Sequence, residues 1–160
     1  DRWKVNLLIQ RKSPKVRTRK VRELTEKILN DLDFKKVSLS YPCQVGILLV
    51  SDSDIKKLNK LYRGKNKTTD VLSFSMIEGG LLLKESPILG EIVISLDTTI
   101  RQAKEYDVNP YQELLRLLIH GLLHLAGYDH EGVSKKAATE MKSLEERIYR
   151  RYLKEAASLI

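Results

Sequence analysis

His120, His124 and His130 are the only histidines in this chain of 160 residues. They fall in one run, His120-Gly121-Leu122-Leu123-His124-Leu125-Ala126-Gly127-Tyr128-Asp129-His130. The first two are four residues apart, which puts both rings on one face of a helix. Gly127 carries no Cβ, adopts positive φ at low cost and lets the chain reverse, bringing His130 back towards the other two. Three imidazoles meeting at one point leave a tetrahedral ion one open position, the plan of a catalytic zinc site rather than a structural one. A lone histidine on an apolar face is ordinarily a core residue bonded to a carbonyl. Three in one short run, with none elsewhere, read as metal ligands for Zn2+, and the same donors accept nickel, copper or iron. Neutral ligands leave the ion its full double charge and lower the pKa of a bound water towards about 7, which implies hydrolysis with that water as nucleophile.

The spacing matches the protease motif H-E-x-x-H-x-x-G-x-x-H with one change: Gly121 stands where those enzymes carry a general-base glutamate. A peptide hydrolase loses its proton acceptor by that change. Phosphodiester cleavage depends less on such a base, because metal and cationic groups stabilise charge on the phosphoryl oxygens. A peptidase or amidase is the weaker alternative and needs a base from elsewhere, such as Asp129.

The charge points the same way. Lys and Arg number 29 against 21 acids, a net charge of +8. From Arg11 to Arg22 there are seven bases and no acid, and from Lys56 to Lys67 six more, again without an acid. Single-sign basic segments suit a polyanion, most commonly nucleic acid. The chain carries no apolar run of the roughly 20 residues that span a bilayer. It shows no signal-peptide pattern, and Cys43, its one cysteine, can form no internal disulfide, so a reducing cytoplasm is expected. Cys43 reads as a small buried residue rather than a ligand.

These residues need a frame. Val5–Ile9, Val45–Val50, Val71–Phe74 and Gly90–Ser95 read as strands, the second as one buried on both faces. Arg17–Leu32 reads as a helix with Val21, Leu24, Ile28 and Leu32 inward. Ser53 is expected to cap a helix over Asp54–Tyr62 with Ile55, Leu58 and Leu61 inward, and Asp97 to cap one ending near Tyr106. Glu78-Gly79-Gly80 reads as a turn. Asn109-Pro110 opens a largely apolar helix that Gly127 ends. A last helix from about Ser134 has Ala137, Met141, Leu144, Ile148 and Tyr152 on its buried stripe. The expected fold is a single α+β, zincin-like domain over residues 1–160: a small mixed four-stranded sheet packed with helices, the metal-site helix buried.

The histidine run resembles the signature of the YbeY family of bacterial endoribonucleases. Leu58-Asn59, Tyr62-Arg63-Gly64-Lys65, Thr69-Asp70-Val71-Leu72-Ser73-Phe74 and Leu89-Gly90-Glu91-Ile92 agree with it in order. The resemblance implies zinc on His120, His124 and His130, a single-strand-specific cut in RNA, a role in 16S rRNA 3′-end maturation and ribosome quality control, and a cytoplasmic setting with the ribosome or its small subunit as partner. It also implies a functional role for Arg63, whose fork of donors suits a phosphate. Lys65 and Lys67 read as electrostatic RNA contacts or as a solvated loop. Asp129 reads as a partner orienting an imidazole or as the residue closing the turn, and Tyr128 as a packing residue. The family usually has proline at Ser75 and aspartate at Glu91. A second alternative keeps the metal but makes the chain a ribosome-associated RNA-binding factor with weak or no catalysis.

Overall fold

Alternating side chains in Trp3–Ile9 (β1) put Trp3 and Val5 inward and Lys4 and Asn6 outward. A parallel partner needs a crossover. Helix α1 (Thr18–Asp31) supplies it and leads to β2 (Cys43–Val50). Helix α2 (Asp52–Arg63), β3 (Val71–Ser75), β4 (Ile88–Ser95), α3 (Leu96–Glu105), α4 (Pro110–Leu125) and α5 (Lys135–Ala156) follow. The computed structural model describes residues 2–34, 39, 41–76, 88–129 and 132–160; the expected turn at Glu78-Gly79-Gly80 and the third histidine, His130, lie outside them. No helix among the described residues is long and apolar enough to cross a membrane.

The sheet is mixed, in the order β1-β2-β4-β3, with β3 antiparallel to β4 at one edge and the other pairs parallel. One face carries Val45, Ile47, Leu49, Ile92 and Ile94 into the main core with α1, α4 and α5. The other face holds a smaller cluster of Val50, Ile55, Leu72 and Val93 beneath α2. Strand β2 is therefore fully buried on one face only; Gly46 and Leu48 remain half-buried, because α2 spans part of the second face. The stripe expected on α1 is buried throughout. On α5, Met141, Ile148, Tyr152 and Ala156 are buried, while Ala137 and Leu144 are only partly so.

Two caps differ from expectation. Ser51, not Ser53, caps α2 by accepting from Asp54 N–H at 3.2 Å, and Ser95, not Asp97, caps α3 by accepting from Thr98 N–H at 3.1 Å. Asp97 is occupied across the helix pair, where it accepts from Asp52 N–H at 2.9 Å and Arg11 Nε at 3.0 Å. Asp52 in turn accepts from Ser95 Oγ, Thr98 Oγ1 and Arg101. Burial pushes the Asp52 carboxyl up, but these three donors prevail and hold it below the ordinary carboxylate range. The two helix N-termini are thus tied together by carboxylates, which suits their positive ends.

Leu61 also departs from expectation. It is 72% exposed, and Asn59 takes the inward position. Helix α4 is buried along most of its surface, as expected, including Glu113, which Arg116 grips with two bonds of 2.7 and 2.6 Å. That close hydrogen-bonded carboxylate raises the Arg116 pKa further. Gly121 lets α4 lie against the sheet: a Cβ there would stand 2.8 Å from Ile92 Cγ2. Position 121 therefore faces β4.

Candidate active site

The histidines are placed by both ends of α4. At its start Gln112 Oε1 accepts the Asn109 N–H at 2.7 Å, and Pro110 occupies the first turn, where a missing N–H costs nothing. At its end Gly127 adopts φ +97°, as its lack of a Cβ predicts. Gly127 N–H reaches His124 O at 3.1 Å and Tyr128 N–H reaches Leu123 O at 3.0 Å, the paired bonds of a Schellman turn. Tyr128 packs against the main core, which seats the turn. The chain emerging from it returns to the helix, and Asp129 Oδ1 lies 4.0 Å from His124 Nδ1.

The rings of His120 and His124 stand at 80° with centroids 4.6 Å apart, and their Nε2 atoms are separated by 3.1 Å. Two bonds of about 2.0–2.1 Å at a tetrahedral angle would separate ligand nitrogens by about 3.3 Å, so the pair fits one shared ion. On the far side of His120, Nδ1 lies 3.2 Å from Glu145 Oε1 on α5. An ionised carboxylate only accepts, so Nδ1 carries the proton and Nε2 presents its lone pair towards His124. Both rings are about three-quarters buried. Among the described residues no set of three His, Cys, Asp or Glu side chains forms a metal site, and His130 is not one of those residues.

A cleft of about 620 Å³ opens on the two rings. It brings together Arg63, Lys65, Lys67, His120, His124 and Asp129, six of the seven residues singled out above. Their basic wall is built by the end of α2. Gly64, at φ +69°, caps the helix and turns the chain, its N–H bonding Lys60 O at 3.1 Å. Asn59 is 2% exposed and donates Nδ2 to Lys67 O at 2.9 Å, which ties the Lys65–Lys67 loop to the helix. Arg63 donates from Nη2 to Ser73 O at 2.7 Å, so its guanidinium is braced against β3. One of five donors is used there, and the fork retains capacity for an anion.

Three residues at the candidate site have no role assigned by sequence reasoning. Glu145 sits 25 residues from His120, on another helix, and no spacing rule connects them. Asn59 belongs to the Leu58-Asn59 match quoted above, which gives it no role. Asp70 lines the cleft and accepts from Val71 N–H at 2.8 Å and Gln102 Nε2 at 3.3 Å, the latter also bonded to Glu113. Glu91 lies away from the histidines. Its neighbours Gly90 and Ile92 meet Leu125 and Gly121 of α4, so Glu91 occupies the opposite face, across from Phe74. Cys43 is fully buried, and burial pushes its thiol pKa up, as befits an inert core residue.

Comparison with known proteins gives a consistent result. A family profile described as Endoribonuclease YbeY matches residues 6–153. A protein of that name from Persephonella marina is 46% identical over 129 residues, covering 81% of this chain and 79% of the relative. One from Aquifex aeolicus is 42% identical, covering 89% and 90%. One from Thermodesulfovibrio yellowstonii is 37% identical, covering 92% and 96%. The solution structure of TM1509 from Thermotoga maritima is similar in fold, with a TM-score of 0.59 and 30% identity over 94% of this chain and 93% of that one.

Proposed function

Since this chain belongs to the Endoribonuclease YbeY family, a hydrolase family acting on RNA esters, we propose that it is a zinc-dependent, single-strand-specific endoribonuclease of 16S rRNA 3′-end maturation and ribosome quality control. It works in the cytoplasm on precursor rRNA at the small subunit. The observation that carries the metal reading is the 3.1 Å approach of two Nε2 atoms, one of them set by a carboxylate on its other ring nitrogen.

His120, His124 and His130 would hold the ion. The support for His130 is its sequence neighbour Asp129, already beside His124. The ion supplies, when bound, polarisation of a phosphoryl oxygen and a water activated near neutral pH. Glu145 keeps the His120 Nδ1 proton in place and so keeps Nε2 available as a ligand atom. Arg63, braced on Ser73 O, donates to a non-bridging oxygen of the scissile phosphate and stabilises the charge that develops there. Lys65 and Lys67 attract the flanking phosphates. Asp129, 57% exposed at the cleft, stands where it can take up a proton released during attack.

The alternative of a binding factor without turnover rests on Gly121, which supplies no base. Position 121 is directed at Ile92, so the packing accounts for its glycine without reference to catalysis. Incubation of the full chain with single-stranded RNA distinguishes the readings. Cleavage should stop on chelation, return with zinc, and fall at least roughly 100-fold in Arg63→Ala, the loss usual for one transition-state donor. RNA binding with no cleavage under any metal condition would favour the alternative.

A further inference from the structure

Beside the cleft lies a surface that the reading above does not use. Tyr62 is 64% exposed at the end of α2, and Leu61 beside it is 72% exposed. The Tyr62 ring lies 5.4 Å from that of Phe74 on β3, at 64°. Arg63 Cζ lies 5.6 Å from the same Phe74 ring. Met76, just past the end of β3, is 52% exposed. Large exposed apolar side chains in one place mark an interaction surface. The company they keep narrows the partner: Lys56, Lys57, Lys60, Lys65 and Lys67 surround them in sequence and make no ion pair among the described residues.

We propose that Tyr62, backed by Phe74, whose ring also meets the Arg63 guanidinium, is a stacking platform for one unpaired base of the RNA adjacent to the scissile phosphate. Arg63 joins the two halves of the site, since it lines the cleft and lies over the Phe74 ring. A phosphate held by Arg63 leaves its own nucleotide within reach of Tyr62. Paired bases are stacked on their neighbours and offer no free face, whereas an unpaired base does; aromatic residues beside a cationic groove are a recurring way of holding single strands. The platform thereby gives the protein a physical basis for selecting single-stranded over duplex RNA. This inference rests on the endoribonuclease reading for its substrate but is tested by binding rather than by cleavage.

The experiment uses the full chain and a short single-stranded oligoribonucleotide, with binding followed in the presence of a chelator so that the strand is not cut. Affinity is compared with the same oligonucleotide made abasic at successive positions, and with its duplex. Tyr62→Ala should weaken binding of the intact strand roughly 5- to 100-fold, as loss of one stacked base does. Tyr62→Phe should restore it. One abasic position should cost the wild type the same factor and cost Tyr62→Ala nothing further, and duplex binding should not change. Circular dichroism checks that the variants are folded. Unchanged affinity of Tyr62→Ala for the intact strand would overturn the platform, and the surface would then belong to a protein partner. Equal losses for abasic and intact strands would overturn it too. A wild type that binds with this base dependence yet never cuts an ordinary RNA would leave the platform standing and sink the endonuclease reading alone.

Discussion

At the scale of single residues, the candidate site turns on which ring nitrogen of each histidine carries the proton. For His120 the answer is set by Glu145, which accepts from Nδ1 at 3.2 Å. Glutamine at that position keeps an oxygen but loses the charge that favours one tautomer. Glu145→Gln should lower zinc affinity roughly 10- to 100-fold, the usual cost of losing such a partner. Competition with a chromophoric chelator measures this; an unchanged affinity would make Glu145 a helix-packing residue only. The pairing of His120 with His124 was legible in the sequence because residues four apart on a helix share a face. Arg63, Lys65 and Lys67 were legible as charge without acids nearby. Glu145 was not, because its proximity is created by the packing of α5 on α4. Gly121 was read as an absent catalytic group, and its contact with Ile92 adds a packing reason that no one-dimensional pattern displays.

At the scale of elements, the two walls of the cleft are held by different devices. One wall is α4, fixed by its Schellman turn and its contact with β4. The other is the loop after α2, fixed by the buried Asn59 side chain on Lys67 O. Asn59→Ala leaves that carbonyl unpaired and should cost about 1–2 kcal/mol of stability in a urea titration. It should weaken RNA binding with zinc affinity unchanged, because the histidines stand on the opposite wall. Loss of zinc binding in this variant would contradict the division of labour. The order and type of the elements followed from hydrophobic period and cap chemistry. The caps of α2 and α3 did not. At α3 serine and aspartate both satisfy a helix N-terminus, and Asp97 is instead taken up by Arg11 and the Asp52 backbone, which leaves the cap to Ser95. The exposure of Leu61 was equally hidden, since periodicity places a residue on a helix but does not reveal where the sheet beneath it stops.

At the scale of the whole molecule, one four-stranded sheet separates a large core from a small one, and the small one depends on the tie between α2 and α3. The Asp52 carboxyl sits below its ordinary pKa in the fold, so it favours the folded state when ionised. That contribution is complete above the unfolded value of about 3.9 and is lost as pH falls through the lower folded value. The gap in Tm between wild type and Asp52→Asn should therefore be widest at neutral pH and close on acidification below about 4. A gap independent of pH would show that the carboxylate charge is not what Asp52 contributes. The basic excess and the α+β class were evident from composition and pattern. The edge position of β3, which lets its residues line the cleft, emerges only from the strand order.

The proposal common to all three scales is one ion held by three histidines and used to cut RNA. The most direct measurement titrates zinc into the metal-free chain and its His130→Ala variant while following cleavage of single-stranded RNA. The wild type should gain activity linearly and saturate at one zinc per chain, and the variant should stay inactive throughout. Cleavage by the metal-free chain, or a full zinc response in His130→Ala, would contradict the account.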